Sequence, residues 1–278
     1  MKPVDRVRVW SREGDAAVER DDALAVEEPL EIRLRTADSS SPSPFVVTMR
    51  TPGDDESLAA GLLFAEGVLH AREDLLALER PSDPRIDPEM RENVLVAIVS
   101  AGARARADRL RRATVMGSAC GVCGRTSIDG LLPAGRPPVG SPMRVEAEVL
   151  YGLPGKLRGG QSVFEQTGGL HAAGLFTPHG GALAVAEDIG RHNATDKVVG
   201  RLWRDGLLPA RETVLMVSGR AGFEILQKAF AAGVPVVASV SAPSSLAVAL
   251  ADAAGITLVG FLRERRFNVY SHRERIAG

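Results

Sequence analysis

Cys120 and Cys123 are the only cysteines in the chain, three positions apart in Met116-Gly117-Ser118-Ala119-Cys120-Gly121-Val122-Cys123-Gly124-Arg125. A cysteine works as nucleophile or metal ligand only as the thiolate. C-x-x-C placement beside a cation such as Arg125 draws the thiol pKa toward neutrality. Glycines on both sides favour an exposed loop over a buried apolar site. Three chemistries use such a pair: sulfur carriage, disulfide exchange and half of a tetrahedral zinc site. Zinc ranks below the other two, because the chain has no second C-x-x-C. Zinc deaminases also place an H-x-E unit ahead of their cysteines, whereas His171-Ala172-Ala173 follows the pair and has alanine where the acid/base glutamate would stand. A thioredoxin-type pair belongs near a helix start in a βαβ domain, and this one precedes the regular part of the chain. Two cysteines are too few for a secreted disulfide scaffold and fit a reducing compartment.

A second group of candidates is polar and sits behind apolar runs. Glu187-Asp188-Ile189-Gly190-Arg191-His192-Asn193, Ser218-Gly219-Arg220-Ala221-Gly222, Ser241-Ala242-Pro243-Ser244-Ser245 and Arg263-Glu264-Arg265-Arg266 each follow a short strand-like segment. Glycine permits close backbone approach, helix starts at Gly222 and Ser244 offer N–H groups, and guanidinium forks match phosphate oxygens. Together they predict a pocket for a phosphorylated ligand larger than one phosphate, with Arg191, Arg220, Arg263 and Arg266 as its cations. His192 stands at a helix start with Asp196 four residues on, a spacing that lets a carboxylate orient the imidazole. No glycine-lysine-serine/threonine phosphate loop and no G-x-G-x-x-G follows a strand, so ordinary NTPase and dinucleotide-oxidoreductase readings lack their key residues.

The elements that must position these residues follow from periodicity. Ala182 to Ala186, Thr213 to Val217, Pro235 to Val240 and Ile256 to Leu262 read as strands. They alternate with helical segments around Ala194 to Trp203, Phe223 to Ala232 and Ser245 to Ala253, the last two closed by Gly233 and Gly255. This βαβαβαβ order predicts a mainly parallel sheet with helices on its faces and ligands beyond the carboxyl strand ends. The first half reads as a smaller α+β unit. It has strands at Leu30 to Arg35, Phe45 to Met49 and Val94 to Val99, and a helix over Leu58 to Phe64 with Asp54 and Asp55 at its start. The expected division is 1–115 as the α+β unit, 116–140 as a mobile connector carrying the cysteines, and 141–278 as the α/β unit. Arg104, Arg106, Arg109, Arg111 and Arg112 read as a solvated helix face, with docking of an acidic partner as the alternative.

With 34 Lys and Arg against 35 Asp and Glu, the formal net charge is -1. Such a balance gives no global field for nucleic acid. Aromatic content of 4% argues against a base-stacking surface. No apolar run reaches the ~20 residues of a membrane span, and the N-terminal residues are charged. The expectation is a cytoplasmic chain with no nucleic-acid or membrane partner.

Taken jointly, five segments resemble the formate dehydrogenase accessory sulfurtransferases, the FdhD family. They are Cys120-Gly121-Val122-Cys123-Gly124, Thr167-Gly168-Gly169-Leu170-His171, the run from Glu187 to Asn193, Ser218-Gly219-Arg220 and Gly260-Phe261-Leu262-Arg263. Gly61 to Gly67 in the first half adds to them. The resemblance implies an α/β protein whose C-terminal domain has a three-layer, cytidine-deaminase-like α/β/α fold, with a smaller N-terminal α+β domain, assembled as a homodimer. It implies a sulfurtransferase. Sulfur from a cysteine desulfurase reaches Cys120 as a persulfide, assisted by Cys123, and passes to the molybdenum of bis-(molybdopterin guanine dinucleotide) on behalf of formate dehydrogenase. Ser218, Gly219, Arg220, Arg191, His192 and the segment Phe261, Leu262, Arg263, Glu264, Arg265 and Arg266 would bind that cofactor, and no permanent metal is expected. Glu264-Arg265 stands where many members carry a glycine. The alternative is a non-catalytic chaperone that binds the molybdenum cofactor and hands it over.

Overall fold

The computed structural model describes residues 1–82, 87–113 and 137–278. Cys120, Cys123 and most of the expected connector lie outside the described residues. The chain begins as an antiparallel ribbon of β1 (Val4–Glu13) and β2 (Ala16–Ala25), turned at Gly14, whose φ is 60°. Next come β3 (Glu28–Arg35), β4 (Ser43–Arg50), α1 (Asp55–Ala65), β5 (Leu75–Glu79), α2 (Pro88–Arg91), β6 (Val94–Val99) and α3 (Ala101–Ala113). The strands of this half form a sheet ordered β4-β3-β6-β5. Leu30, Ile32 and Leu34 of β3 alternate inward against Leu58 and Leu63 of α1, as a sheet covered on one face requires.

The expected strands and helix of the first half are therefore present. Asp54 takes the N-cap position of α1, but with φ 56° and no side-chain cap. Its carboxylate instead accepts from Arg201 Nε at 2.5 Å. The arginine-rich helix is not simply solvated. Arg104 donates to the Leu34 carbonyl at 2.9 Å, and Arg106 donates to the Val68 carbonyl and to the Asp74 carboxylate. Arg104 thus ties α3 to β3, and Arg106 ties it to the segment between α1 and β5.

Arg50 is 1% exposed and grips Asp55 through Nε and Nη2 at 3.0 and 3.1 Å, while Arg80 reaches the same carboxylate at 2.6 Å. Burial alone would raise the Asp55 pKa, but the hydrogen bonds and charges of Arg50 and Arg80 outweigh it and hold the carboxyl below its ordinary value. A depressed carboxyl contributes stability that is present above its unfolded pKa, about 3.9, and lost as pH falls through the folded value. Acid titration of the melting temperature is expected to show this loss below about pH 4 in wild type. The same segment of the curve should be flatter in Asp55→Asn; parallel curves would contradict the assignment.

The second half contains β7 (Val145–Glu146), α4 (Ala147–Arg158), α5 (Ser162–Thr167), β8 (His171–Phe176), β9 (Ala182–Asp188), α6 (Arg191–Arg204), β10 (Val214–Val217) and α7 (Phe223–Ala232). It continues through β11 (Val236–Ser239), α8 (Ser245–Ala254), β12 (Thr257–Arg263), β13 (Arg266–Ser271) and β14 (Ile276–Ala277). Its six-stranded sheet has the order β13-β12-β11-β10-β8-β9, and β7 pairs with β14 separately. Val214 and Met216 pack with Leu150, Leu153 and Leu157 of α4 on one face. Leu215 and Val217 pack with α6, α7 and α8 on the other. Helices thus lie on both faces of this sheet.

The mainly parallel expectation needs correction. Only β10, β11 and β12 are parallel neighbours; β8 pairs antiparallel with both β9 and β10, and β13 pairs antiparallel with β12. The cause is connection length. Five residues join β8 to β9 and two join β12 to β13, and such short links permit hairpins but not crossovers.

Helix α6 belongs to both halves. Every residue from Asn193 to Gly200 is buried, because β8 and β9 cover one side and α1 the other. A Cβ at Gly61 would lie 1.9 Å from the Asp196 carbonyl oxygen, and one at Gly200 would lie 1.9 Å from that of Ser57. The two helices approach so closely only because both crossing positions are glycine.

Candidate functional site

Antiparallel β8 has a useful consequence for the edge. It separates β9 from β10 yet leaves them running the same way, so the carboxyl ends of β9, β10, β11 and β12 share one edge with the first residue of β8, His171. Backbone contacts join the loops along it. Ala221 bridges Pro243, the Ser244 N–H donates to the Ala221 carbonyl at 3.1 Å, and the Phe261 N–H donates to the Ser241 carbonyl at 3.2 Å.

At the end of β9, Asp188 is fully buried and organises the turn into α6. One carboxylate oxygen accepts from the Gly190 N–H at 3.0 Å and Asn193 Nδ2 at 2.9 Å. The other accepts from the Thr51 N–H and lies 2.7 Å from Lys197 Nζ. Lys197 donates to the carbonyls of Thr51 and Glu187, and Asn193 donates to that of Met49. A buried ion pair of this kind holds only when hydrogen bonds satisfy its remaining donors and acceptors, and here the first half of the chain supplies several. The result fixes the start of α6, where Arg191 and His192 stand in the first turn with no side-chain cap at Gly190.

His192 does not meet Asp196 as the spacing predicted. Asp196 is taken by Lys228 of α7 at 2.7 and 2.8 Å, and burial raises its pKa against the pull of that lysine. The carboxylate beside His192 is Glu224, whose Oε2 lies 3.3 Å from Nε2. That approach lacks hydrogen-bond alignment, so among the described residues His192 Nε2 has no hydrogen-bond partner, and neither has Arg191 Nε. Buried polar atoms of this kind are uncommon and call for an explanation. Sequence reasoning missed Glu224; its position two residues after Gly222, in the first turn of α7, was the available signal.

Ser218 is bound into the sheet, its N–H donating to the Ala172 carbonyl and its Oγ accepting from the Ala172 N–H at 2.8 Å. Ser244 caps α8 through the Ala247 N–H. Gly219 lets two neighbouring side chains come close to its backbone. A Cβ there would stand 3.3 Å from His171 Nδ1 and 3.9 Å from Arg191 Cδ. Arg220 is exposed next to it.

Farther along, β12 and β13 form a hairpin across which Arg263 opposes Arg266. Phe261 (φ 54°, 39% exposed) and Glu264 (φ 49°) occupy left-handed conformations that disfavour side chains. Strain of about 1 kcal/mol or more at each marks a path that glycine would follow freely. Leu262 is fully buried in the core beneath α4, which leaves only its backbone for a ligand. Arg265 pairs with the Glu148 carboxylate and lies 5.2 Å from the Tyr151 ring centroid. Arg263 and Arg266 are exposed, and Arg263 Nε donates to the Val240 carbonyl at 3.3 Å. A separate cavity of about 350 Å³ lies in the first half, lined by Arg50, Asp55, Arg80 and Glu92 among others. Its Arg50, Arg80 and Asp55 charges are already paired with one another. The strand-end edge, where Arg191 Nε has no hydrogen-bond partner among the described residues, is the better candidate site.

Comparison with known proteins agrees with the sequence resemblance. The family model described as FdhD/NarQ family matches residues 25–277. A Streptomyces coelicolor protein named sulfur carrier protein FdhD is 48% identical over 266 residues, covering 95% of this chain and 92% of that protein. A Mycobacterium tuberculosis protein of the same name is 47% identical over 273 residues, covering 97% of each. One from Saccharolobus solfataricus is 41% identical over 276 residues, covering 99% of this chain and 98% of that one. A crystal structure from Desulfotalea psychrophila, described as a formate dehydrogenase accessory protein, superposes with a TM-score of 0.75 over 99% of both chains at 23% identity, and so speaks for the fold. With a family match running from the end of β2 to the penultimate residue, and relatives this similar over nearly their whole lengths, the chain belongs to the FdhD/NarQ family.

Proposed function

We propose that this protein is a sulfur carrier and sulfurtransferase. It takes sulfane sulfur from the persulfide of a cysteine desulfurase and passes it to the molybdenum of bis-(molybdopterin guanine dinucleotide), its client substrate, so that formate dehydrogenase becomes active. The observation that carries the reading is similarity along almost the whole chain to relatives named sulfur carriers. In the first step the Cys120 thiolate attacks the terminal sulfur of the desulfurase persulfide. A new S–S bond forms on Cys120, the donor's S–S bond breaks, and the desulfurase leaves as thiolate. No outside oxidant is needed.

The strand-end edge is where we place the client. Its diphosphate groups are anions, and among the described residues Arg191 Nε is a buried donor with no acceptor, next to His192, whose Nε2 faces the Glu224 carboxylate at 3.3 Å. Arg220, Arg263 and Arg266 add exposed cations along the same edge. A cytidine-deaminase-like α/β/α arrangement of the second half, an active homodimer and a cytoplasmic location complete the reading. Among the described residues no helix is long and apolar enough to cross a membrane.

The reading is tested by incubating the wild-type protein with a cysteine desulfurase and free cysteine and recording its intact mass. The expected result is one added sulfur atom per chain, removed by a reductant. A chain that never gains sulfur, yet still supports formate dehydrogenase activation, would make it a binding chaperone instead.

A further inference from the structure

We propose that His171 is a proton-linked phosphate contact of the strand-end edge, its imidazole taking up a proton when a diphosphate binds at that edge beside Gly219. The proposal rests on the reading of this edge as a phosphate site and adds its dependence on pH.

Position comes first. Because β8 is antiparallel, its first residue emerges among the carboxyl ends of the neighbouring strands. His171 Nδ1 and Arg191 Cδ lie 3.3 and 3.9 Å from the point where a Cβ of residue 219 would stand. The imidazole and the Cδ methylene of Arg191 therefore both pack close to the backbone of Gly219, an approach that a side chain at 219 would crowd.

Charge comes second. His192 has the Glu224 carboxylate beside it at 3.3 Å. Among the described residues His171 has no such ion pair. Its partner across the ladder is Asp188, but that carboxylate is occupied by Lys197, Asn193 and the N–H groups of Gly190 and Thr51. The neighbouring Glu187 caps α5 through the N–H groups of Val163 and Phe164. The charged groups that act on His171 are Arg191 and His192 of α6. Burial first, then Arg191, then His192, push its pKa below the ordinary imidazole value.

A bound diphosphate reverses this balance. An anion beside the imidazole favours the imidazolium, so binding takes up a proton wherever the pH lies between the free and bound pKa values. Arg191 stays cationic throughout, and His171 supplies a second positive charge only when an anion is present to meet it. The sign follows: affinity rises as pH falls and is lost as pH rises through the bound-state pKa.

A suitable probe is GDP-glucose, whose diphosphate diester has no ionisation of its own in this range. Its affinity for the full chain is measured by calorimetry between about pH 5 and 8, in buffers of different ionisation enthalpy. Wild type is expected to bind with proton uptake and with affinity rising by up to about tenfold per pH unit on acidification. His171→Gln should bind with a flat profile, whereas His179→Gln, exposed in the turn at the opposite end of β8, should keep the slope. As a readout independent of any variant, the His171 ring resonance of wild type should titrate at higher pH with ligand than without. Flat wild-type binding, or a slope that persists in His171→Gln, would overturn the proposal while leaving the edge as a phosphate site. Absence of GDP-glucose binding at every pH would instead remove the reading of the edge itself.

Discussion

Gly200→Ala is expected to destabilise the protein by about 3 kcal/mol or more, the upper end of what an inserted methyl does in a packed interior. The new Cβ would sit 1.9 Å from the Ser57 carbonyl oxygen. The obstacle is backbone, which no side-chain rotation relieves. Helices α1 and α6 would have to separate, and their separation would loosen the bonds from Arg201 to Asp54 and from Arg204 to Ser57 that cross the same seam. Gly61→Ala meets the Asp196 carbonyl at the same distance and should behave alike. Gly152→Ala on α4 is the control: nothing lies within 4 Å of its Cβ, so it should be neutral or gain up to about 1 kcal/mol from reduced freedom of the unfolded chain. Denaturant unfolding of the three variants decides the matter. If Gly200→Ala melts with the control, α1 and α6 do not touch at these glycines.

Cys120→Ala is expected to abolish sulfur loading, leaving the mass unchanged after treatment with desulfurase and cysteine, while Cys123→Ala still gains one sulfur. A methyl group offers no nucleophile, so the loss should be complete and not partial. Cys120→Ser is the sharper comparison because it keeps the side chain's size. A serine hydroxyl does not ionise near neutrality, so formate dehydrogenase activation should vanish while GDP-glucose binding at the strand-end edge persists. Full activation by Cys120→Ser would remove sulfur carriage from the reading. Loading of Cys120→Ala but not of Cys123→Ala would exchange the two thiols' roles.

Local rules served well where the chain's own neighbours set the structure. Gly222 and Ser244 start helices, and Gly233 and Gly255 end them with φ of 73° and 70°, because capping needs only a few adjacent residues. Less was legible where a distant partner decides. Asp196 lies at the right helical spacing from His192, yet Lys228 from the next helix claims it, and no periodicity within α6 foretells that. His171 to Phe176 reads as part of a glycine-rich motif, since its small residues give little strand signal, and only pairing on both sides makes it the strand that sets the direction of the edge. The β1–β2 ribbon escaped notice because its charged residues mask any alternation. The strand-end loops were visible as a set because each follows a recognisable apolar run. Which of their side chains remain available was not, since Ser218, Leu262 and Arg265 are engaged by residues far away in sequence.

The glycine crossing also bears on how the chain is made. Gly61 and its seat on α6 are separated by roughly 140 residues, and synthesis proceeds at about 5–20 residues per second. The exposed side of α1 therefore waits on the order of 10 s on the ribosome before the helix that covers it emerges. During that interval the face of α1 around Gly61 that α6 will cover stays open to solvent, and slow codons between the two helices would lengthen its exposure.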